Sequence, residues 1–340
     1  MTSSFLTESP RHVGYTTRKG FFTDTSICIG CKACEVACKE WNRNPVEGYS
    51  LTGHSYDNTG ALGADTWRHV AFVEQTKERI EQAQESGRKL IGLGMPSMPS
   101  MPTKPGETPA DEAASRPAAS TAPPQTPDFR WLMSSDVCKH CTNAGCLDVC
   151  PTGALMRSEF GTVVVQDDVC NGCGTCVAGC PFGVIERRTD GGVNVRAERG
   201  GHDFTPGEQA PIKNVGVAQK CTLCYDRLKD GQMPACAKAC PTESIQYGDH
   251  DELLERARAR VAELHAQGYP EARLYGANPE DGVGGTGSIF LLLDAPEVYG
   301  LPPDPRVPTA DLPAMARTAL KAAAGMVGAC AAAFLIGGRK

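Results

Sequence analysis

Aromatic residues make up only 6% of the 340 positions, and the formal net charge is −6. No basic stripe interleaved with aromatic side chains occurs anywhere, so a nucleic-acid partner is excluded. The opening stretch MTSSFLTESPRHVGYTTRKG has no apolar h-region and no adjacent arginine pair, so no export signal is expected. An acid–base constellation is missing as well. His54, His69 and His140 stand isolated, each reading as a structural or surface residue, and no catalytic centre is expected in this chain.

What the chain does have is 17 cysteines and 25 prolines. Disulfide frameworks of that density belong mostly to short secreted chains. Without an export signal, metal binding becomes the leading use for these thiols. The cysteines fall into four clumps. The first is Cys28-x2-Cys31-x2-Cys34-x3-Cys38, and the second is Cys138-x2-Cys141-x4-Cys146-x3-Cys150 followed by Pro151. The third is Cys170-x2-Cys173-x2-Cys176-x3-Cys180 with Pro181, and the fourth is Cys221-x2-Cys224-x11-Cys236-x3-Cys240 with Pro241. This is the bacterial ferredoxin run C-x2-C-x2-C-x3-C-P, stretched between second and third ligands in two copies.

The spacing has a physical reason. Three thiolates on a tight loop cap three corners of one cubane, and the fourth, on the next helical turn, ligates the other cluster of a pair. Glycines in the loops (Gly30, Gly145, Gly172, Gly174) are expected to permit positive φ, turning backbone N–H groups toward sulfur. Zinc knuckles use C-x2-C pairs in twos and leave the third and fourth cysteines and the trailing proline unexplained. Four [4Fe–4S] clusters are therefore expected. Motifs two and three are joined by a stretch containing GTVVVQ, a short strand in a hairpin-like link. They are expected to pair, leaving motifs one and four to form the other unit around them. The expected ligand sets are Cys28, Cys31, Cys34 with Cys240, and Cys221, Cys224, Cys236 with Cys38. The inner sets are Cys138, Cys141, Cys146 with Cys180, and Cys170, Cys173, Cys176 with Cys150.

The fold class expected is α+β, with two interleaved ferredoxin-like dicluster units, long loops and a C-terminal helix. Residues 15–91 plus 211–250 form the unit of motifs one and four, and 128–210 the unit of motifs two and three. Between them, 92–127 is rich in Pro, Ala and Ser and reads as a flexible insertion. TKERIEQAQESGRKL before it reads as a solvated helix. A C-terminal extension covers 251–311, with a charged surface helix from near Asp249 or Asp251 to Gly268 and a strand at 288–293. GVGGTG (282–287) precedes a strand, whereas a dinucleotide fingerprint follows one, so it reads as a plain glycine loop. The tail 312–338 holds 17 uncharged residues between Lys321 and Arg339 and is expected to be a membrane-anchoring helix, the alternative being an Ala-rich helix packed on a soluble body. Cys330, far from any motif, is expected to be a small buried residue.

CIGCKACEVACKEWN (28–42), CKHCTNAGCLDVCPTGAL (138–155), CNGCGTCVAGCPFGV (170–184) and KCTLCYDRLKDGQMPACAKACPT (220–242) resemble the iron–sulfur β subunit of membrane-linked formate dehydrogenases. NTGALGADTWRHVAFVE (58–74), DAPEVYGLPPDP (294–305) and the Ala-rich tail resemble it too. The wider family includes β subunits of other pterin reductases, such as nitrate, dimethyl sulfoxide and polysulfide reductases, and of some hydrogenases. The respiratory nitrate reductase type carries Trp for one cysteine of the third motif; Cys173 stands here, so four complete cubanes are implied. The resemblance implies an electron-transfer subunit between a molybdenum or tungsten pterin catalytic subunit and an integral membrane quinone-reactive subunit. It implies a place at the cell membrane, held by those partners and the C-terminal helix. The pair of motifs one and four would face the catalytic subunit, and motifs two and three the membrane subunit. Lys32, Lys39, Lys139 and Lys220 lie beside cysteines, either as solvated flanks or as charges that raise cluster potentials. A metal-stabilised scaffold with no redox duty is the alternative from another class.

Overall fold

A computed structural model describes residues 17–45, 53, 56–57, 59–93, 126–189 and 214–337. The expected insertion at 92–127 falls almost wholly outside the described residues, as does His54.

Strand β1 (Lys19–Asp24) has five consecutive buried residues, the pattern of a strand covered on both faces. Apolar side chains on both sides suit only a central position, and β1 takes one. It pairs antiparallel with β8 (Ile245–Asp249) and parallel with β10 (Ser288–Leu292), whose antiparallel neighbour β9 (Arg273–Tyr275) completes a four-stranded sheet. Phe21, Phe22, Ile289, Phe290, Leu291 and Leu292 form its interior, each side chain contributing about 1.5–3 kcal/mol by burial. The strand expected at 288–293 is thus β10.

A second sheet is a long ribbon. β2 (Arg68–Thr76) and β3 (Phe129–Val137) pair antiparallel from Arg68 opposite Val137 to Thr76 opposite Phe129. β3 follows the insertion and pairs along its whole length with a strand that precedes it. Helix α2 (Lys77–Gly92) continues from β2 and buries Ile80, Ala83 and Gly87, which share one face. A Cβ at Gly87 would collide with the Pro270 carbonyl, so this helix docks where the sequence suggests only a solvated surface. Two short antiparallel pairs follow: β4 (Leu155–Arg157) with β5 (Val163–Val165), and β6 (Glu186–Arg187) with β7 (Ala218–Gln219). β5 is the strand expected within GTVVVQ.

Helix α1 (Ala33–Asn42) carries the third and fourth cysteines of motif one. Helix α3 (His250–Ala266) is the charged helix, covering the sheet with Leu253, Ala257 and Leu264. GVGGTG is a loop: the Asp281 carboxylate accepts hydrogen bonds from the Val283 and Gly285 N–H groups (3.0 and 2.7 Å), leaving no phosphate cradle there.

Helix α4 (Leu312–Gly337) forms where the tail helix is expected. Its expected membrane span is corrected: among the described residues no helix is long and apolar enough to cross a membrane. Arg317 and Lys321 interrupt it, and Ala and Gly supply little apolar surface per turn. Cys330 is exposed, not buried as expected, because the described side chains of α4 face solvent.

Candidate metal centres

Each cysteine loop reverses direction on a left-handed residue at the same place, the second position inside C-x2-C. These residues are Gly30, His140, Gly172 and Leu223, with φ of 65°, 46°, 73° and 61°. Only two are glycine, so His140 and Leu223 hold a costly conformation that the surrounding fold must enforce. Gly145 differs from expectation. It has no positive φ and opens the helical turn Gly145–Asp148, where a Cβ would stand 2.5 Å from the Gly179 carbonyl. Its smallness serves a close approach between motifs two and three.

The loops bring thiols together across long stretches of sequence. Cys28, Cys31, Cys34 and Cys240 line one cavity, with Val70, Ser135 and Ser244 in its wall. Cys138, Cys141, Cys146 and Cys180 line another, with His140, Lys139, Lys220 and Phe182. Burial, then repulsion from Cys221, Cys236 and Cys224, pushes the Cys38 thiol well above its usual range. Burial and then Cys170, Cys150 and Cys173 push Cys176 up to about 11. Four quartets result, each drawing one thiol from a different motif than the other three.

The quartets also follow one another in order. Among the charges acting on Cys34, pushed up to about 11 chiefly by burial, is Cys236 of the second quartet. Burial and then Cys138 of the third act on Cys221 of the second. Cys176 of the fourth acts on Cys146, pushed up to about 12 chiefly by burial. Of the sixteen motif cysteines only Cys31 and Cys173 are exposed, and they belong to the first and fourth quartets.

The donor set fits iron–sulfur clusters better than single ions. Among the described residues no three His, Cys, Asp or Glu side chains converge on a single metal ion. Thiols lining a cavity, rather than closing on one point, suit a multi-atom cluster. Hydroxyl and amide donors stand at several sulfurs: Ser135 Oγ at 3.2 Å from Cys34, Thr175 Oγ1 at 2.9 Å from Cys173, and Asn42 Nδ2 at 3.5 Å from Cys38. The Leu223 N–H donates to Cys221 Sγ at 3.3 Å. Such donors stabilise the more negative, reduced state of a cluster.

The flanking lysines separate into two kinds. Lys32 makes half-buried ion pairs with Asp57 (3.1 Å) and Glu35 (3.4 Å). Burial works to raise the Asp57 carboxyl, but the Gly60 N–H, His69 and Lys32 outweigh it and hold it at about 2. Lys39 donates to Thr66 Oγ1 at 3.2 Å. Lys139 and Lys220 are buried, at 1% and 2% exposure, so a solvated flank does not describe them. Lys139 pairs with Asp136 and lies over the Phe182 and Phe290 rings, and Lys220 donates to the Val163 and Cys221 carbonyls.

The histidines also differ from their isolated look in the sequence. His69 Nε2 lies 3.0 Å from Asp57 Oδ2. His140 is buried, and its Nδ1 accepts the Val163 N–H at 3.1 Å, which places the ring proton on Nε2. Burial, then Lys220 and the nearby arginines, pushes its pKa well below the usual value, so the ring is a neutral donor. Two residues of the site carry no local sequence signal at all: Arg68 and Ser135, which come to the first quartet only because β2 pairs with β3.

Two family models, each described as a 4Fe-4S dicluster domain, match this chain, one at 129–198 and 209–250 and the other at 27–154. The chain is similar to the nitrate-inducible formate dehydrogenase iron-sulfur subunit of Escherichia coli, 36% identical over 290 residues, covering 84% of this chain and 73% of that protein. The formate dehydrogenase iron-sulfur subunit of Haemophilus influenzae is 33% identical over 309 residues, covering 90% of this chain and 75% of the relative. A polypeptide of the anaerobic dimethyl sulfoxide reductase of Escherichia coli is 27% identical over 241 residues, covering 71% of this chain and 78% of the relative.

Proposed function

We propose, for a chain that belongs to the family of formate dehydrogenase iron–sulfur subunits, that it is the electron-transfer subunit of a formate dehydrogenase complex carrying four [4Fe–4S] clusters. The observation that carries this reading is the ordered line of four cysteine quartets with an exposed thiol at each end, Cys31 and Cys173. When bound, each cluster supplies a one-electron redox centre. The ligand sets are Cys28, Cys31, Cys34 and Cys240; Cys38, Cys221, Cys224 and Cys236; Cys138, Cys141, Cys146 and Cys180; and Cys150, Cys170, Cys173 and Cys176.

In this reading the two dicluster units interleave. Motifs one and four (15–91 plus 211–250) enclose motifs two and three (128–210), with the extension 251–311 closing the sheet around β1. The end bearing Cys31 meets a molybdenum or tungsten pterin subunit that oxidises formate. The end bearing Cys173 meets a quinone-reactive membrane subunit, and these partners hold the chain at the cell membrane. The chain's own residues exclude water, hold the sulfurs in place and surround them with N–H and O–H donors.

A β subunit of a different pterin reductase is the second reading, favoured by the likeness to the dimethyl sulfoxide reductase polypeptide. Formate added to the intact complex distinguishes the two: the iron–sulfur signals should become reduced. Clusters that stay oxidised would sink the formate assignment and leave electron transfer standing. Metal analysis separates both readings from a scaffold. Roughly sixteen iron per chain is expected from four cubanes, and a few zinc with no iron would sink the relay.

A further inference from the structure

Arg68 is the largest fully buried side chain of the described residues, at 1% exposure. Its Nη1 donates to Ser135 Oγ at 2.9 Å and to the Ser135 carbonyl at 3.3 Å. The guanidinium lies over the Phe21 ring, 4.7 Å from its centroid. Nε and Nη2 are buried without any hydrogen-bond partner. A buried cation with idle donors costs several kcal/mol unless an anion faces it. Among the described residues no Asp or Glu carboxylate pairs with it. Burial works to discharge Arg68, and negative charge on the sulfurs of Cys236, Cys34, Cys221 and Cys38, the form in which they would hold a cluster, outweighs it.

Geometry places both quartets beside this charge: Phe21, whose ring the guanidinium covers, packs in one buried core with Cys34 of the first quartet and Cys221 and Cys236 of the second. Ser135 extends its reach. The serine oxygen accepts from Arg68, which leaves its own O–H free to donate to Cys34 Sγ at 3.2 Å. Among the cations near the third quartet, Lys139 is paired with Asp136, whereas the Lys220 ammonium, which donates to two carbonyls, keeps its charge beside Cys146.

We propose that Arg68, partly through the Ser135 hydroxyl, is a positioning residue that raises the reduction potentials of the two clusters held by motifs one and four. The proposal rests on the ligand sets given above. A fixed positive charge in a dry interior favours the reduced, more negative cluster over the oxidised one. The effect falls on one end of the relay and leaves the Cys173 end untouched, so electrons arriving beside Cys31 meet centres tuned by the same side chain.

The test is a potentiometric titration of the intact complex, followed by electron paramagnetic resonance, for the wild type and for Arg68→Met, Arg68→Lys and Ser135→Ala. Arg68→Met should make the reduction equilibrium of two of the four clusters about tenfold less favourable, a fall of about 59 mV for a one-electron couple. The cluster at the Cys173 end should not move. Arg68→Lys, which keeps the charge, should recover most of that loss, and Ser135→Ala should lower one cluster only. Unchanged potentials in Arg68→Met at full iron content, or an equal fall in all four, would overturn the proposal. If Arg68→Met fails to retain its iron, Ser135→Ala decides: one lowered potential supports the proposal and none overturns it. A wild type without roughly sixteen iron per chain would instead defeat the cluster reading itself, before any variant is compared.

Discussion

At the scale of single residues, the cysteine loops depend on backbone conformations that side chains resist. Gly30 adopts φ of 65°, and a Cβ there would stand 2.7 Å from both Met133 Sδ and Phe72 Cε1. Gly30→Ala therefore adds left-handed strain of about 1–2 kcal/mol to a collision with the β2–β3 ribbon. The variant should lose the cluster of the first quartet and keep the others, so iron should fall from roughly sixteen to roughly twelve per chain, with a lower melting temperature. Full iron content and unchanged melting would show that the loop tolerates the strain. His140 and Leu223 occupy the same conformation without glycine's freedom, which the sequence cannot announce: both look like ordinary spacer residues. Lys139 and Lys220 were legible as neighbours of cysteine but not as buried ones, because burial depends on Phe182, Phe290 and Val163, which arrive from elsewhere in the chain.

At the scale of elements, the central sheet and the tail helix contribute in opposite ways. β1 and β10 are enclosed by the core, whereas every described side chain of α4 is exposed. A chain ending at Asp311 should therefore keep its iron and stay within about 0.5 kcal/mol of the full chain's stability, the usual range for surface changes. Thermal melting and iron analysis of the shortened chain check this, and a melting temperature several degrees lower would show that α4 packs on the body in solution. Sequence periodicity located β5, β10, α2, α3 and α4 within a residue or a few. It could not tell that α2 docks through Gly87 against Pro270, since a glycine on a charged helix carries no mark of a close neighbour. It also overestimated α4, where the absence of charge over a long run looks like a membrane span although alanine and glycine dominate it.

At the scale of the whole molecule, the proposed exchange of fourth ligands has the clearest consequence. Cys240 lies in the cavity of Cys28, Cys31 and Cys34, although Cys221, Cys224 and Cys236 are its neighbours in sequence. Cys240→Ser should accordingly leave Cys28, Cys31 and Cys34 open to alkylation, while Cys221, Cys224 and Cys236 stay protected by their cluster. Peptide mapping by mass spectrometry after iodoacetamide treatment reads this directly. Labelling of the motif-four cysteines in place of motif one would mean that each motif keeps its own fourth ligand.

Four [4Fe–4S] clusters were determined by the sequence alone, and so was the proposal of sixteen of seventeen cysteines to hold them, because cluster ligation needs thiolates at short fixed spacings and such spacings are local. The grouping of motifs could be inferred as well, since the ferredoxin run carries its swapped ligand with it. The environment of the clusters was decided by tertiary structure only. Arg68 meets Cys34 through Ser135 because β2 and β3 pair across the insertion, and the pairing of distant strands is settled by a core that no short stretch of sequence contains. The order of the quartets and the exposure of Cys31 and Cys173 at its two ends belong to the same level, because solvent access is a property of the packed chain and not of any motif.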